Sequence, residues 1–89
     1  LDVHVCASGE LVVMHDAAVN RMTNGSGYIK DKTLDQLNAL TVGAHEHIPT
    51  LQEAIDAIGQ SVKLAIELKG PGTAAPTARI LHEYLAKGW

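Results

Sequence analysis

The first apolar positions, Val3 and Val5, alternate with the polar Asp2 and His4, and a second apolar tract, LVVMHD at 11–16, follows Ser8-Gly9. Alternation and β-branched residues predict two short strands joined by a tight connection. From Ala17 to Ile29 no period holds, and NRMTNGSG carries residues that cap turns or tolerate positive φ, so a loop is expected there. Thr33 and Gln36 form a capping box ahead of Leu34, Leu37 and Leu40, predicting a helix of about two turns. A second loop, VGAHEHIP, leads to another box, Thr50 with Glu53. Beyond it Leu51, Ala54, Ile55 and Ile58 trace one helical face, and Gly59 supplies the stop.

Residues 62–68, VKLAIEL, alternate strictly. Val62, Leu64, Ile66 and Leu68 point one way, while Lys63, Ala65, Glu67 and Lys69 point the other. Gly70-Pro71-Gly72 ends that strand. Thr73 or Pro76 opens a last helix with Ile80, Leu81, Tyr84 and Leu85 as its apolar stripe, and Gly88 closes it. A strand, a crossover helix and a further strand make the unit of a parallel α/β sheet covered by helices. Such strands usually read as continuous apolar runs, yet this one places Glu67 and Lys69 on one face. That face fits the lumen of a (β/α)8 barrel near its C-terminal mouth, and equally the solvated side of an edge strand. Spacing alone does not choose.

Composition narrows the function. Seven basic and ten acidic residues give a net charge of −3, with no basic cluster, which argues against a nucleic-acid or membrane-surface partner. No run of about 18 apolar residues occurs, so no transmembrane segment is read. Apolar residues make up 46% of the chain, but aromatics only 3% and Phe is absent, so a core buries little area per residue. The single Cys6 excludes an intrachain disulfide and reads as a small strand residue. With LDVHV opening directly in a strand and Gly88-Trp89 closing just past a helix, the chain reads as a piece of a longer protein.

Three groups near strand ends could carry chemistry. Asp2 and Glu67 are hard oxygen ligands suited to calcium or magnesium, and His15 can transfer protons near neutral pH. A divalent ion with a histidine acid/base suffices to open a phosphodiester. Taken alone, a strand Asp is more often simply solvated. His45-Glu46-His47 lacks a third ligand and reads as a solvated loop; His82 beside Glu83 reads as surface. Asn24-Gly25-Ser26-Gly27 could nest an anion, but no Lys follows in P-loop fashion. Neither Ser8 nor Ser26 has a base partner nearby in sequence.

Taken in order, LDVHVCASGELVVMHD, NRMTNGSGYI, IPTLQEAI and LAIELKGPG resemble the glycerophosphodiester phosphodiesterase family over roughly residues 1–72. That family shows an E-x-D pair, then D-G-x-x-V-x-H-D, R-T-T-N-G-x-G, I-P-T-L-x-E and I-E-I-K. The resemblance implies a fragment of a (β/α)8 TIM barrel with a small insertion after the second strand, the segment from about Ala17 to Pro49. It implies metal-dependent hydrolysis of glycerophosphodiesters to glycerol 3-phosphate and an alcohol. Asp2 matches the second acid of the pair and Glu67 the glutamate of I-E-I-K, both ligands of a divalent metal, Ca2+ or Mg2+. His15 matches the second of two catalytic histidines. Lys69 matches the motif lysine, which sits in the active site and helps to neutralise the phosphate.

The first glutamate of E-x-D and the His-Arg-Gly strand with the other histidine are not in this sequence, and Met22 replaces the usual Thr. A barrel of this kind needs about 200 residues or more, so the 89 residues alone are expected to be inactive. Open sheet edges would invite pairing with another copy, a homo-oligomer. The rival reading is a non-catalytic phosphodiester- or metal-binding barrel module. A barrel lipase acting on sphingomyelin or phosphoinositides is a third, against which TNGSG and IPTLQE weigh.

Overall fold

Asp2–Val5 forms the central strand, β1, because its alternation gives each face a use. The computed structural model describes residues 1–43, 45–59 and 66–89. After β1 come β2 (Leu11–Val13), a 3-10 turn (Ile29–Asp31), α1 (Leu34–Asn38), α2 (Leu51–Ile58), β3 (Glu67–Leu68) and α3 (Ala74–Ala86). The sheet runs β2-β1-β3. The expected hairpin pairs β1 with β2 antiparallel, Val3 against Val13 and His4 against Val12. The expected crossover pairs β1 with β3 in parallel, Asp2 against Glu67 and Val3 against Leu68. The sheet is therefore mixed rather than wholly parallel, since a hairpin can only return antiparallel. Of the alternation expected over 62–68, positions 62–65 lie outside the described residues.

Register partners share a face, and the two faces differ in kind. One carries Val3, Val5, Leu11 and Val13 against α2 and α3; Val3, Leu11, Leu51, Ile55, Ile80 and Tyr84 form that core. The other carries Asp2, His4, Val12, Glu67 and Lys69. Its apolar part, Val12 with Cys6 and Met14, is covered by Val19, Ile29, Leu37 and Ile48 from the segment 17–49. That segment has no period because turns and bridges hold it, not one long element. Ala18 bridges Tyr28, Thr23 bridges Val42, and Val19 N–H donates to Gly27 O at 2.9 Å.

Both capping boxes form as read. Thr33 Oγ1 accepts from Gln36 N–H and Thr50 Oγ1 from Glu53 N–H, while Gln36 and Glu53 accept in return from the cap amides. α1 is shorter than expected, five residues, and Gly59 ends α2 at φ 82°. α3 starts at Ala74; Thr73 has helical dihedrals and gives its hydroxyl to Gly70 O instead of capping. Pro76 sits in the first turn, where its missing N–H has no partner to lose. The buried stripe of α3 is Thr77, Ile80 and Tyr84. Leu85, expected in that stripe, is 66% exposed, at the open margin of a groove it shares with Ile55 and Tyr84. Leu68 is likewise exposed at the edge of the sheet. Tyr84 ties the two helices together: its hydroxyl donates to Asp56 Oδ1 at 2.7 Å, and Trp89 packs edge-on against its ring.

Candidate active site

β2 ends at Val13, and two residues later the chain turns out of the sheet at His15, whose side chain is 74% exposed. Its Nδ1 lies 2.8 Å from Asp16 Oδ1. Arg21 grips the same carboxylate from the other side, donating from Nε to Oδ2 at 2.8 Å and from Nη2 to Oδ1 at 2.9 Å. This bidentate grip, with His15 second, holds the Asp16 carboxyl far below the usual carboxylate range, and Asp16 raises the Arg21 guanidinium in return. With Nδ1 taken, Nε2 is the ring nitrogen left to exchange a proton.

Lys69 arrives from the opposite side. Its backbone N–H donates to Val3 O at 3.0 Å, which fixes the chain just past β3, and its Nζ lies 3.1 Å from Glu67 Oε1. Between His15 and Lys69 runs a cleft of about 600 Å³. His4 and Val5 of β1 line it together with His15, Ala17, Tyr28 and Lys30 from the hairpin side and Lys69, Gly70 and Pro71 from the β3 side.

The structure thus brings His15 and Lys69 to one cleft. Asp2 and Glu67 meet differently, as register partners on adjacent strands, and neither lines the cleft. As register partners the two acids share one sheet face, and carboxylates are the oxygen donors a hard divalent cation takes. Two of them make only part of a coordination shell, and Glu67 already holds the Lys69 ammonium. Among the described residues no group of three or more His, Cys, Asp or Glu is gathered for a metal.

Most amides of the TNGSG tract are spent on the loop itself, Thr23 N–H on Val19 O and Asn24 N–H on Thr41 O among them. Gly25 N–H donates to Thr23 Oγ1, Gly27 N–H to Asn20 Oδ1 at 2.9 Å, and Asn24 Oδ1 accepts from Thr41 N–H. Gly27 has φ 105°, and a Cβ on Gly25 would lie 2.6 Å from Leu40, so both glycines serve the loop itself. His47 pairs with Glu53 at 3.1 Å, Cys6 is buried, and His82 is exposed.

Sequence reading passed over four residues of the site. Asp16 and Arg21 gave a signal, a carboxylate beside the histidine and a guanidinium five positions on. His4 gave another, two positions after Asp2 on the same strand face; it is 9% exposed, and among the described residues its buried Nε2 has no hydrogen-bond partner. Tyr28 gave none, because only the Ala18–Tyr28 bridge brings it to the cleft.

The sequence profile of the glycerophosphoryl diester phosphodiesterase family matches residues 1–85, so the chain belongs to that family. A glycerophosphodiester phosphodiesterase of Caldanaerobacter subterraneus is 39% identical over 97 aligned residues, covering 94% of this chain and 40% of that protein. One from Bacillus subtilis is 34% identical, over 82% of this chain and 30% of that protein. The chain therefore spans two fifths or less of these relatives. Among solved structures, an Oleispira antarctica phosphodiesterase in complex with the product sn-glycerol-3-phosphate superposes with TM-score 0.87 at 34% identity, over 92% of this chain and 38% of that one. A glycerophosphodiester phosphodiesterase from Agrobacterium tumefaciens gives TM-score 0.82 at 29% identity, over the same shares.

Proposed function

We propose that these 89 residues are part of a hydrolase that cleaves glycerophosphodiesters to glycerol 3-phosphate and an alcohol. The observation that carries this is the cleft in which His15 and Lys69 meet, in a chain of this family. In this reading β1 and β3 are neighbouring strands of a (β/α)8 barrel, 17–49 is its insertion, and the face of Asp2, His4, Glu67 and Lys69 looks into the lumen.

His15 moves a proton at Nε2, to or from a substrate oxygen, as water adds to phosphorus and the P–O bond to the alcohol breaks. Asp16 holds the ring in the tautomer that leaves Nε2 free, and Arg21 keeps Asp16 ionised and in place. Lys69 places an ammonium against the phosphate anion. Asp2 and Glu67 would hold a divalent cation, Ca2+ or Mg2+, which when bound offsets charge on the phosphoryl oxygens. A second histidine and further metal ligands must come from other parts of the barrel, so the 89 residues alone do not turn over.

The test is release of glycerol 3-phosphate by the complete protein. Release should stop on adding a chelator and return with calcium or magnesium. His15→Ala should lower kcat by roughly 10²–10⁴-fold while leaving metal affinity unchanged. Binding of the diester without any release would instead support a binding module.

A further inference from the structure

Tyr28 and Lys30 stand on the hairpin-side wall of the cleft, and the proposed reaction does not use them. They are held there by the Ala18–Tyr28 bridge and by the 3-10 turn that begins at Ile29. Tyr28 is 55% exposed, so its ring forms part of the open rim, whereas His4 lies on the buried floor. The Lys30 ammonium sits over that ring, 5.6 Å from its centroid. Among the described residues Lys30 has no ion-pair partner, while Lys69 is partly balanced by Glu67. Among the described residues no carboxylate lines the cleft.

The substrate phosphate carries one negative charge, and Lys69 already stands beside the place proposed for it. A second ammonium at the rim is therefore free to act on whatever hangs from the phosphate. An exposed tyrosine ring is an attractive seat for a quaternary ammonium such as choline, through the negative face of its π-system. Here that seat is taken by the chain's own cation. A cationic alcohol would have to displace Lys30 and then sit beside it, whereas a polyol or an anionic alcohol can accept hydrogen bonds from it.

We infer that the Tyr28–Lys30 pair selects the alcohol end of the diester, favouring uncharged polyol or anionic alcohols and disfavouring quaternary ammonium alcohols. The inference rests on the hydrolase reading and adds a substrate class to it.

The experiment compares kcat/KM of the complete protein for glycerophosphoinositol and glycerophosphocholine. The wild type should prefer the inositol diester. Lys30→Gln should shift the ratio toward choline by roughly two- to fivefold, the scale of an exposed cation–π contact. Lys30→Arg, which keeps the charge, should preserve the wild-type preference. In Lys30→Gln with Tyr28→Leu the gain for choline should shrink, since the freed ring supplies it; a gain that persisted undiminished would overturn the role of Tyr28. Circular dichroism confirms that each variant folds. Hydrolysis of both diesters with a ratio that Lys30→Gln does not move would overturn the selectivity of this wall and leave the hydrolase reading standing. Hydrolysis of neither by the wild type would overturn both.

Discussion

Arg21 and His15 share one carboxylate, and that sharing decides what His15 can do. Asp16 lies 26% exposed between them, close enough to both that it stays ionised well into acid. Asp16→Asn would keep the shape but lose the charge, and its amide could turn a donor toward Nδ1, favouring the wrong tautomer. We expect a loss of roughly 10–100-fold in kcat with KM little changed. An unchanged kcat would make Asp16 a mere support for the loop. At this scale much was legible. Asp2, His15 and Glu67 stood out by residue type near strand ends and Lys69 through the resemblance, and His15 and Lys69 line one cleft. What escaped was partnership: the Arg21 grip depends on the turn at Val19–Thr23, closed by Thr23 N–H on Val19 O, which no periodicity reports.

The helix starts show the opposite case, local chemistry that sequence reveals almost completely. Thr50 and Glu53 exchange hydrogen bonds within one turn, and Val13 N–H donates to Pro49 O at 2.9 Å, so the cap also fixes where α2 leaves the sheet. Thr50→Ala should cost about 1 kcal/mol of stability, read from thermal unfolding of the complete protein. Glu53 adds a pH dependence. Its carboxyl lies below the ordinary 4.5, first through the Thr50 backbone N–H and then through His47. A depressed folded value means the unfolded chain binds protons first. The contribution of Glu53 is therefore full above about pH 4.5 and lost as pH falls through its lower folded value. Glu53→Gln keeps an acceptor for the amide, so its acid unfolding should lack this component. Matching acid transitions of the two proteins, followed by far-UV circular dichroism, would refute it. The stripe of α3 was less legible, since Leu81 and Leu85 satisfy the same period as Ile80 and Tyr84, and of these four Leu85 alone is left exposed.

Across the molecule, burial divides into two clusters on opposite faces of one small sheet, Leu37 in one and Leu51 in the other, both fully buried. Each Leu→Ala change should cost 2–5 kcal/mol, roughly, and the double change should add to within about 0.5 kcal/mol. Denaturant unfolding measures this, and strong coupling would mean the clusters act as one. The parallel crossover was readable from element order, but the second cluster was not, because its members are scattered over an aperiodic segment. The hairpin stands between the clusters, and its successive residues serve them in turn: Leu11 one, Val12 the other, Val13 the first again. Continued alternation would turn His15 toward the cluster of Leu11 and Val13; it reaches the cleft because the chain leaves the sheet after Val13. Deleting one residue from the Ala7–Gly9 turn would slide Val13 into the slot of Val12, Met14 into that of Val13 and His15 into the buried slot of Met14. The length of that three-residue turn thus decides which cluster each side chain of β2 feeds and whether an imidazole or an apolar side chain meets the exit from the sheet.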